Sequence, residues 1–366
     1  MFETLSQYEL SDIHLMNDDA SGLQAIIAIH DTSLGPAIGG CRYLHYRSEQ
    51  AAIEDAARLA QGMSYKAALA GLPFGGGKAV IIKPDIEPDR KLLFSKMGDF
   101  IASLQGRYIT ALDSGSNLSD MDIMTTRTAY VSSSSQIGDC SLYTAEGIYN
   151  GIKEAFKVRF ASDSIKQARI AIQGLGHVGM ALAERLSRGG ATLIVSDLEP
   201  SKTEYACQRF NAKVVASDAI CQQDCEIFAP CGLGGIINTN SISQLRCAII
   251  AGAANNQLAE DKDEERLRDR GILYVPDFAI NVGGLIYASM RFAGEAQSDI
   301  DDKLRAIPTT IRELLDEAKG KAQTPLQTAI FMAQQRIAAG RHTQPPSTTS
   351  APVASHRQRG TVAGQV

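Results

Sequence analysis

The 366-residue chain has no tryptophan, no Cys-x-x-Cys pair and no basic excess: 36 lysines and arginines face 41 aspartates and glutamates, for a net charge of −5. That balance lacks the electrostatic footprint of a nucleic-acid or anionic-membrane binder, so neither partner is expected. No apolar run approaches the ~20 residues of a membrane span. Met1-Phe2-Glu3-Thr4 shows no basic region followed by an apolar stretch, so it does not read as a secretory signal. The seven cysteines are odd in number, and only Cys221, Cys225 and Cys231 cluster. No histidine lies between His177 and His342 to complete a zinc set. No metal is expected, and the thiols read as buried, reduced groups of a cytoplasmic protein.

What is present suffices for a packed core: 44% of residues are apolar. At ~150 residues per domain the length suggests two domains. In the first third, Ala25–Ile29, Ala79–Ile82 and Tyr108–Ala111 read as strands, and Ile53, Ala56, Leu59, Ala60 and Met63 recur at helical spacing over about Glu49 to Met63. The small, polar run Val131–Gly138 reads as a crossing between domains. From residue 169 the pattern becomes a regular alternation. Short apolar runs at Ile170–Gln173, Thr192–Ser196, Lys213–Val215, Glu226–Ala229, Ala248–Ala251 and Ile272–Val275 are separated by longer segments, several of helical character. This predicts βαβ units and a parallel sheet covered on both faces. Residues 300–315 and Leu326–Ala338 read as amphipathic helices, and 341–366, rich in Thr, Ser, Pro, Gln and Arg, as a disordered tail.

Ile170–Gln173 runs straight into Gly174-Leu175-Gly176-His177-Val178-Gly179, and a helical segment follows. A G-x-G-x-x-G between strand and helix has the context of a dinucleotide-binding turn. Gly174 permits the tight turn, Gly176 lets the backbone approach a pyrophosphate, and Gly179 lets helix and strand pack closely; His177 looks incidental. The next strand ends at Asp197, eighteen residues after Gly179. A carboxylate there suits ribose hydroxyls and repels a 2′-phosphate, which favours NAD over NADP. The alternative is a simple turn or helix cap.

Two lysines twelve residues apart, Lys66 and Lys78, sit in apolar, glycine-rich settings. Burial and a neighbouring cation both depress a lysine pKa and could make one of them a base near neutrality. From spacing alone, two surface lysines with snorkelling stems are the stronger reading. Asp113 directly follows a strand, a place for a catalytic carboxylate or for a turn cap.

Taken together, Gly35–Gly40, Gly62–Lys66, Gly75–Lys78, Thr110–Asp113, Gly174–Gly179, Phe228–Cys231, Ala251–Leu258, Pro276-Asp277 and Asn281–Gly284 resemble, in order, the glutamate/leucine/phenylalanine/valine dehydrogenases, and most closely the bacterial leucine-type enzymes. The resemblance implies an α/β protein with an N-terminal α/β substrate domain and a Rossmann-type doubly wound NAD-binding domain separated by a cleft. The boundaries expected are 1–138 for the substrate and catalytic domain, with helices at about 322–340 packing back on it, and 139–321 for the NAD domain. It implies NAD-dependent oxidative deamination of an L-amino acid by a homo-oligomer. Lys66 would hold the substrate carboxylate, Lys78 would be the general base that activates water, and Asp113 would shuttle a proton to and from the amino nitrogen. Thr144 and Asn255 would line the nicotinamide side of the cleft, with Asn256 beside the substrate.

Gly40, Met63, Leu285 and Ala288 would form the side-chain pocket. Many branched-chain enzymes carry Val at 288; Ala288 would open space for an aromatic substrate, while Leu285, bulkier than the usual Val, would fill it again. Val282 after Asn281, and Leu142 where the family often has Pro, are further departures. Leucine, valine or isoleucine is the favoured substrate class, with phenylalanine or tryptophan as the alternative. No basic residue stands among the pocket positions, which argues against glutamate. Two rivals are weighed: a 2-hydroxy-acid dehydrogenase, which commonly uses a histidine base, and a catalytically inactive NAD-binding descendant.

Overall fold

The computed structural model describes residues 2–343. In the first half, α1 (Phe2–Gln7) precedes β1 (Asp12–Asp18), β2 (Leu23–Asp31), β3 (Ala37–Leu44), α2 (Glu49–Leu69), β4 (Gly75–Ile82), α3 (Arg90–Ser103), β5 (Tyr108–Leu112) and α4 (Leu118–Thr125). The sheet order is β1-β2-β4-β3-β5. β1, β2 and β4 pair antiparallel, whereas β4, β3 and β5 are parallel. Alternation splits β2 between two cores. Leu23, Ala25, Ile27 and Ile29 face the α3 and α4 side, while Ile26 and Ala28 face Ala52, Ile53, Ala56 and Ala60 of α2.

Small residues let α2 lie close on this sheet. A Cβ on Gly76 would fall 2.1 Å from the Ser64 backbone nitrogen, so β4 passes directly beneath the helix only because it has no side chain there. The helix runs to Leu69, six residues beyond the stretch its apolar stripe marks. In Ser64–Leu69 several faces are buried at once, against the sheet and against the end of the chain, so the one-sided pattern fades while the helix continues.

The second half begins with α5 (Ser141–Phe160), followed by β6 (Arg169–Gln173), α6 (His177–Arg188), β7 (Thr192–Ser196), α7 (Pro200–Phe210), β8 (Lys213–Val214), β9 (Ile227–Pro230), α8 (Thr239–Gln244), β10 (Ile249–Ile250), α9 (Asp263–Asp269) and β11 (Leu273–Tyr274). The six strands are all parallel, in the order β11-β10-β9-β6-β7-β8. This is the doubly wound order, with its topological switch point between β6 and β9. Ile170 and Ile172 enter one core and Ala171 the other, the two-sided burial that makes such strands read as unbroken apolar runs. The 131–138 segment first continues the other sheet: Val131 bridges to Thr110, and the Ser132 N–H donates to the Thr110 carbonyl at 2.7 Å.

Four helices complete the described residues: α10 (Asp277–Ile280), α11 (Gly283–Phe292), α12 (Gln297–Lys321) and α13 (Pro325–Thr343). α12 packs on α5, and α13 on α2. Arg336 donates to the Ala68 and Leu69 carbonyls at 3.1 and 2.6 Å, satisfying the exposed carbonyl end of α2. Arg341 pairs with Asp31 at 2.7 Å. α13 therefore continues three residues into the segment read as a disordered tail; the rest of 341–366 lies outside the described residues. At its other end, the Leu326 N–H donates to both oxygens of Glu264, which belongs to α9 beside the parallel sheet, at 2.9 and 3.1 Å. One helix thus ties the two halves together.

Glu264 is 2% exposed, and burial pushes its carboxyl up to about 7. An unfolded glutamate titrates near ~4.3, so the protonated form favours the folded state. That contribution is present below ~4.3 and lost as pH rises through about 7. Glu264→Gln, which keeps a neutral acceptor, should therefore melt progressively higher than the parent between about pH 5 and about pH 8, by up to ~3 kcal/mol of stability. Thermal melts across that range test this; a gap that does not change with pH would contradict it.

Candidate active site

The site gathers the middle of β3 and β4, the end of β5 and the last turn of α2, and meets the loops of the parallel sheet through Asn255. Lys78 is on β4, and its side chain is 7% exposed. It forms an ion pair with the Oδ2 of Asp113, which directly follows β5. The other oxygen of Asp113 accepts the Ser114 N–H at 2.7 Å. Burial pushes the Asp113 carboxyl up, but Lys78 and Arg42 more than offset this and hold it at about 2. Asp113 is thus ionised at rest, paired with Lys78 in a pocket with little water.

Gly40 on β3 is what lets Asp113 sit there. A Cβ at position 40 would lie 2.6 Å from the Asp113 Cβ and 3.1 Å from the Leu112 carbonyl oxygen. Gly39 beside it has the same role toward the strand: its Cβ would overlap the Gly77 carbonyl, with the Met63 side chain 3.5 Å away. Two strands and one helix thus converge on glycines, so backbone, Met63 and the charged pair share a small volume.

Lys66, on the last turn of α2, reaches across the cleft. Its ammonium donates to the Asn255 Oδ1 at 3.2 Å. That oxygen also accepts from the Asn281 Nδ2 at 2.8 Å, and Asn281 donates to the Ala253 carbonyl at 3.0 Å. Burial pushes the Lys66 amine down to about 8, against the opposing pull of Asp277. Lys66 is the lysine expected to bind the substrate carboxylate. Asp277 is buried, which raises its carboxyl, and it accepts the Gln257 N–H at 3.2 Å. It thereby holds the turn in which Asn256 adopts φ 52° and presents Asn255 and Asn256 to the cleft.

The glycine loop connects β6 to the start of α6, at the switch point. Gly174 has φ 92°, and a Cβ on it would lie 2.8 Å from the Gly232 nitrogen, so the loops after β6 and β9 touch here. On Gly179 a Cβ would fall 2.1 Å from the Gly174 carbonyl oxygen. On Gly176 it would meet nothing within 4 Å. No protein neighbour requires a glycine at 176, so the constraint there fits close approach of a ligand to the backbone. Leu175 is buried, Val178 half-buried, and His177 exposed. Asp197 directly follows β7 beside the loop and accepts the N–H groups of Leu175 at 2.6 Å and Glu199 at 2.9 Å. Burial raises its carboxyl, but these backbone donors hold it below the usual range. A free helix N-terminus, an open glycine and a fixed carboxylate suit a pyrophosphate and a ribose.

Comparison with known proteins agrees with this geometry. Residues 8–130 match the model of the Glu/Leu/Phe/Val dehydrogenase dimerisation domain, and residues 195–344 match that of the glutamate/leucine/phenylalanine/valine dehydrogenases. The chain belongs to the Glu/Leu/Phe/Val dehydrogenase family. It is 42% identical to a leucine dehydrogenase of Thermoactinomyces intermedius, over 94% of this chain and 95% of the relative. A phenylalanine dehydrogenase of Caldalkalibacillus thermarum is 37% identical, over 92% of this chain and 93% of the relative. The solved structure of an L-tryptophan dehydrogenase from Nostoc punctiforme superposes with a TM-score of 0.83 at 38% identity, covering 94% of this chain and all of that one. The chain is accordingly an amino-acid dehydrogenase, an oxidoreductase of a nicotinamide-dependent family.

The structure brings Lys78, Asp113 and Gly40 into contact, joins Lys66 to Asn255 across the cleft, and places Asp197 against the glycine loop. Thr144, at the start of α5, lies against α11: its Oγ1 is 2.5 Å from where a Gly284 Cβ would stand. Leu285 and Ala288 are on α11, half-buried and buried respectively. Arg42, Asp55, Asp277 and Asn281 carry contacts to which the sequence reading assigned no role. Asp277 and Asn281 stood inside matched segments, so a signal existed. Arg42 and Asp55 lie outside any spacing motif. Cys221, Cys225 and Cys247 are buried in one apolar cluster, whereas Cys231 lies beside Gly179.

Gly40→Ala should push Asp113 off Lys78 and lower kcat by ~10²-fold, as a misplacement of about an ångström does. Steady-state rates beside a circular-dichroism melt check this; a variant with parental kcat would remove the steric argument.

Proposed function

We propose that the protein oxidatively deaminates a branched-chain L-amino acid, with leucine, valine and isoleucine favoured, to the 2-oxo acid, ammonia and NADH, and that the reaction is reversible. The observation that carries this is the division of labour between two lysines. Lys66 is a cation without a carboxylate partner in hydrogen-bond range, open to a substrate carboxylate. Lys78 is committed to Asp113. A 2-amino acid needs both: a fixed positive charge for its carboxylate, and a proton-transfer pair near its amino group.

In this reading the substrate carboxylate displaces Asn255 from Lys66, and the positive charge of Lys66 stabilises the complex. Bound NAD supplies the acceptor for the hydride that leaves Cα. Asp113 takes a proton from the substrate's ammonium group before the hydride leaves. Lys78, its own proton released to solvent, takes a proton from water as that water adds to the iminium carbon. Asp113 then returns its proton to the nitrogen, the C–N bond breaks, and ammonia leaves as the carbinol hydroxyl loses its proton to solvent and becomes the 2-oxo group. Asn256 stands in the cleft, and Gly40, Met63, Leu285 and Ala288 form the side-chain pocket. Thr144 and Asn255 border the nicotinamide, while Gly174–Gly179, including Leu175, His177 and Val178, surround the pyrophosphate. Asp197 takes the ribose hydroxyls, which favours NAD over NADP.

Support for an aliphatic substrate comes from Leu285, which would fill space that Ala288 opens, and from the relatives named leucine dehydrogenases. The phenylalanine and tryptophan enzymes among the relatives keep an aromatic side chain as the second reading. A difference of one methylene is worth only ~1–3 kcal/mol, so a few pocket atoms decide. We place the activity in a cytoplasmic homo-oligomer. The match to a dimerisation domain supports the assembly, and no described helix is long and apolar enough to cross a membrane.

The test is NADH formation with leucine, valine, isoleucine, phenylalanine, tryptophan and glutamate, each with NAD and with NADP. The expected result is fastest turnover of an aliphatic member, with NAD preferred. Fastest turnover of phenylalanine or tryptophan would move the substrate class. No turnover of any, with NAD bound, would sink the assignment.

A further inference from the structure

Arg42 lies on β3, two residues beyond Gly40. Its Nε is 3.4 Å from the Asp113 Oδ2, the same oxygen that pairs with Lys78. Its Nη1 donates to the Asp55 Oδ2 at 2.8 Å. Asp55 on α2 is itself held by the Tyr46 hydroxyl at 2.7 Å and by Arg58 at 2.9 Å. Arg42, Asp55 and Asp113 side chains are only 16 to 17% exposed. The charges alternate from the surface inward: Arg58, Asp55, Arg42, Asp113, Lys78.

The reaction makes a demand on this row that the resting pair does not reveal. Whenever Lys78 gives up its proton, Asp113 loses its counter-charge while still largely out of water. A carboxylate in that position would take up a proton from solvent and no longer be free to accept one from the amino nitrogen. A guanidinium does not deprotonate in the accessible range, so it supplies a positive charge through every step. We propose that Arg42, oriented by Asp55, is a positioning residue that keeps Asp113 aimed at Lys78 and returns it to the carboxylate form between its proton transfers. This rests on the roles proposed above for Lys78 and Asp113. Arg42 acts through Asp113 alone.

The groups facing the pair are Arg42 and Cys41 on β3, Asp55, Arg58 and Lys66 on α2, Tyr46 in the loop between them, Tyr108 on β5, and Asp277 across the cleft. Among the described residues, Arg42 and Lys78 are the cations that pair directly with Asp113. Removing the Arg42 charge leaves the negative charge of Asp113 to hold the shared proton more tightly. The Lys78–Asp113 pair would then release its proton at higher pH.

The experiment is the pH profile of kcat/KM for the full-length enzyme, with NAD and the fastest of the six amino acids, for the parent, Arg42→Met, Arg42→Lys and Asp55→Asn. Arg42→Met should move the acid limb up by about one pH unit, and Arg42→Lys should restore most of it. Asp55→Asn, by removing the anion that competes for Arg42, should move the limb the opposite way. NAD affinity, read by calorimetry, should stay at the parental value in all three. An acid limb that stays in place in Arg42→Met while the rate falls at every pH would overturn the proposal and leave Arg42 a packing residue. If Arg42→Met does not fold, Asp55→Asn decides: a downward shift supports the proposal and an unmoved limb overturns it. Lys78→Ala is the control for the underlying reading. If it retains turnover, the catalytic assignment itself fails; if it is inactive and the Arg42→Met limb is parental, only the Arg42 inference fails.

Discussion

A buried ion pair governs the architecture of the substrate domain. Lys78 and Asp113 come from adjacent regions of one sheet, from β4 and the end of β5, with β3 between them. Taking two charges out of water costs several kcal/mol per ion unless geometry and further hydrogen bonds compensate. Here the compensation is structural. Gly40 removes the side chain that would block Asp113, Ser114 donates from the backbone, and Arg42 adds a second cation. The glycines of β3 and β4 follow from the same requirement, since a helix, three strands and two charges must share one small volume.

The second sheet meets this pair with its own carboxyl edge. Its switch point sets the glycine loop and Asp197 on one side of the cleft, and the turn at 255–257, held by Asp277, on the other. Lys66 bridges the halves through Asn255, so the cation proposed for the substrate also reports on cleft geometry. The end of the chain adds a mechanical link. α13 is held at its start by Glu264 of the second half and along its length by α2 of the first. The stacked rings of Tyr143 and Tyr287, 3.9 Å apart, and the Tyr287 hydroxyl donating to the Ile137 carbonyl at 2.6 Å, brace the crossing segment itself. Any opening of the cleft works against these three contacts.

Much of the parallel half was legible in the sequence because its signals are local. A strand buried on both faces is a run of Ile, Val and Ala, and a phosphate-binding turn needs glycines at fixed offsets. β7 was read at Thr192–Ser196, the bounds it has in the structure. The first half was harder. β3 was not anticipated because Gly39-Gly40 after Pro36 reads as a loop; only its parallel neighbours make it a strand. β1 was missed because it is an edge strand, Asp12–Asp18, half exposed and polar along much of its length. The site divides in the same way. Lys66, Lys78 and Asp113 were recognisable through the segments that carry them. Arg42 and Asp55 were not, because a contact between a strand and a helix thirteen residues on leaves no pattern in the chain.

The account stands on Lys78 acting in the chemical step and not in binding. The direct measurement is turnover of the best amino acid by Lys78→Ala, beside calorimetric NAD binding by the same preparation. The account predicts a loss of ~10²- to 10⁴-fold in kcat, the usual contribution of a general base, with NAD affinity unchanged. Turnover near the parental rate, with the cofactor bound equally well, would contradict it.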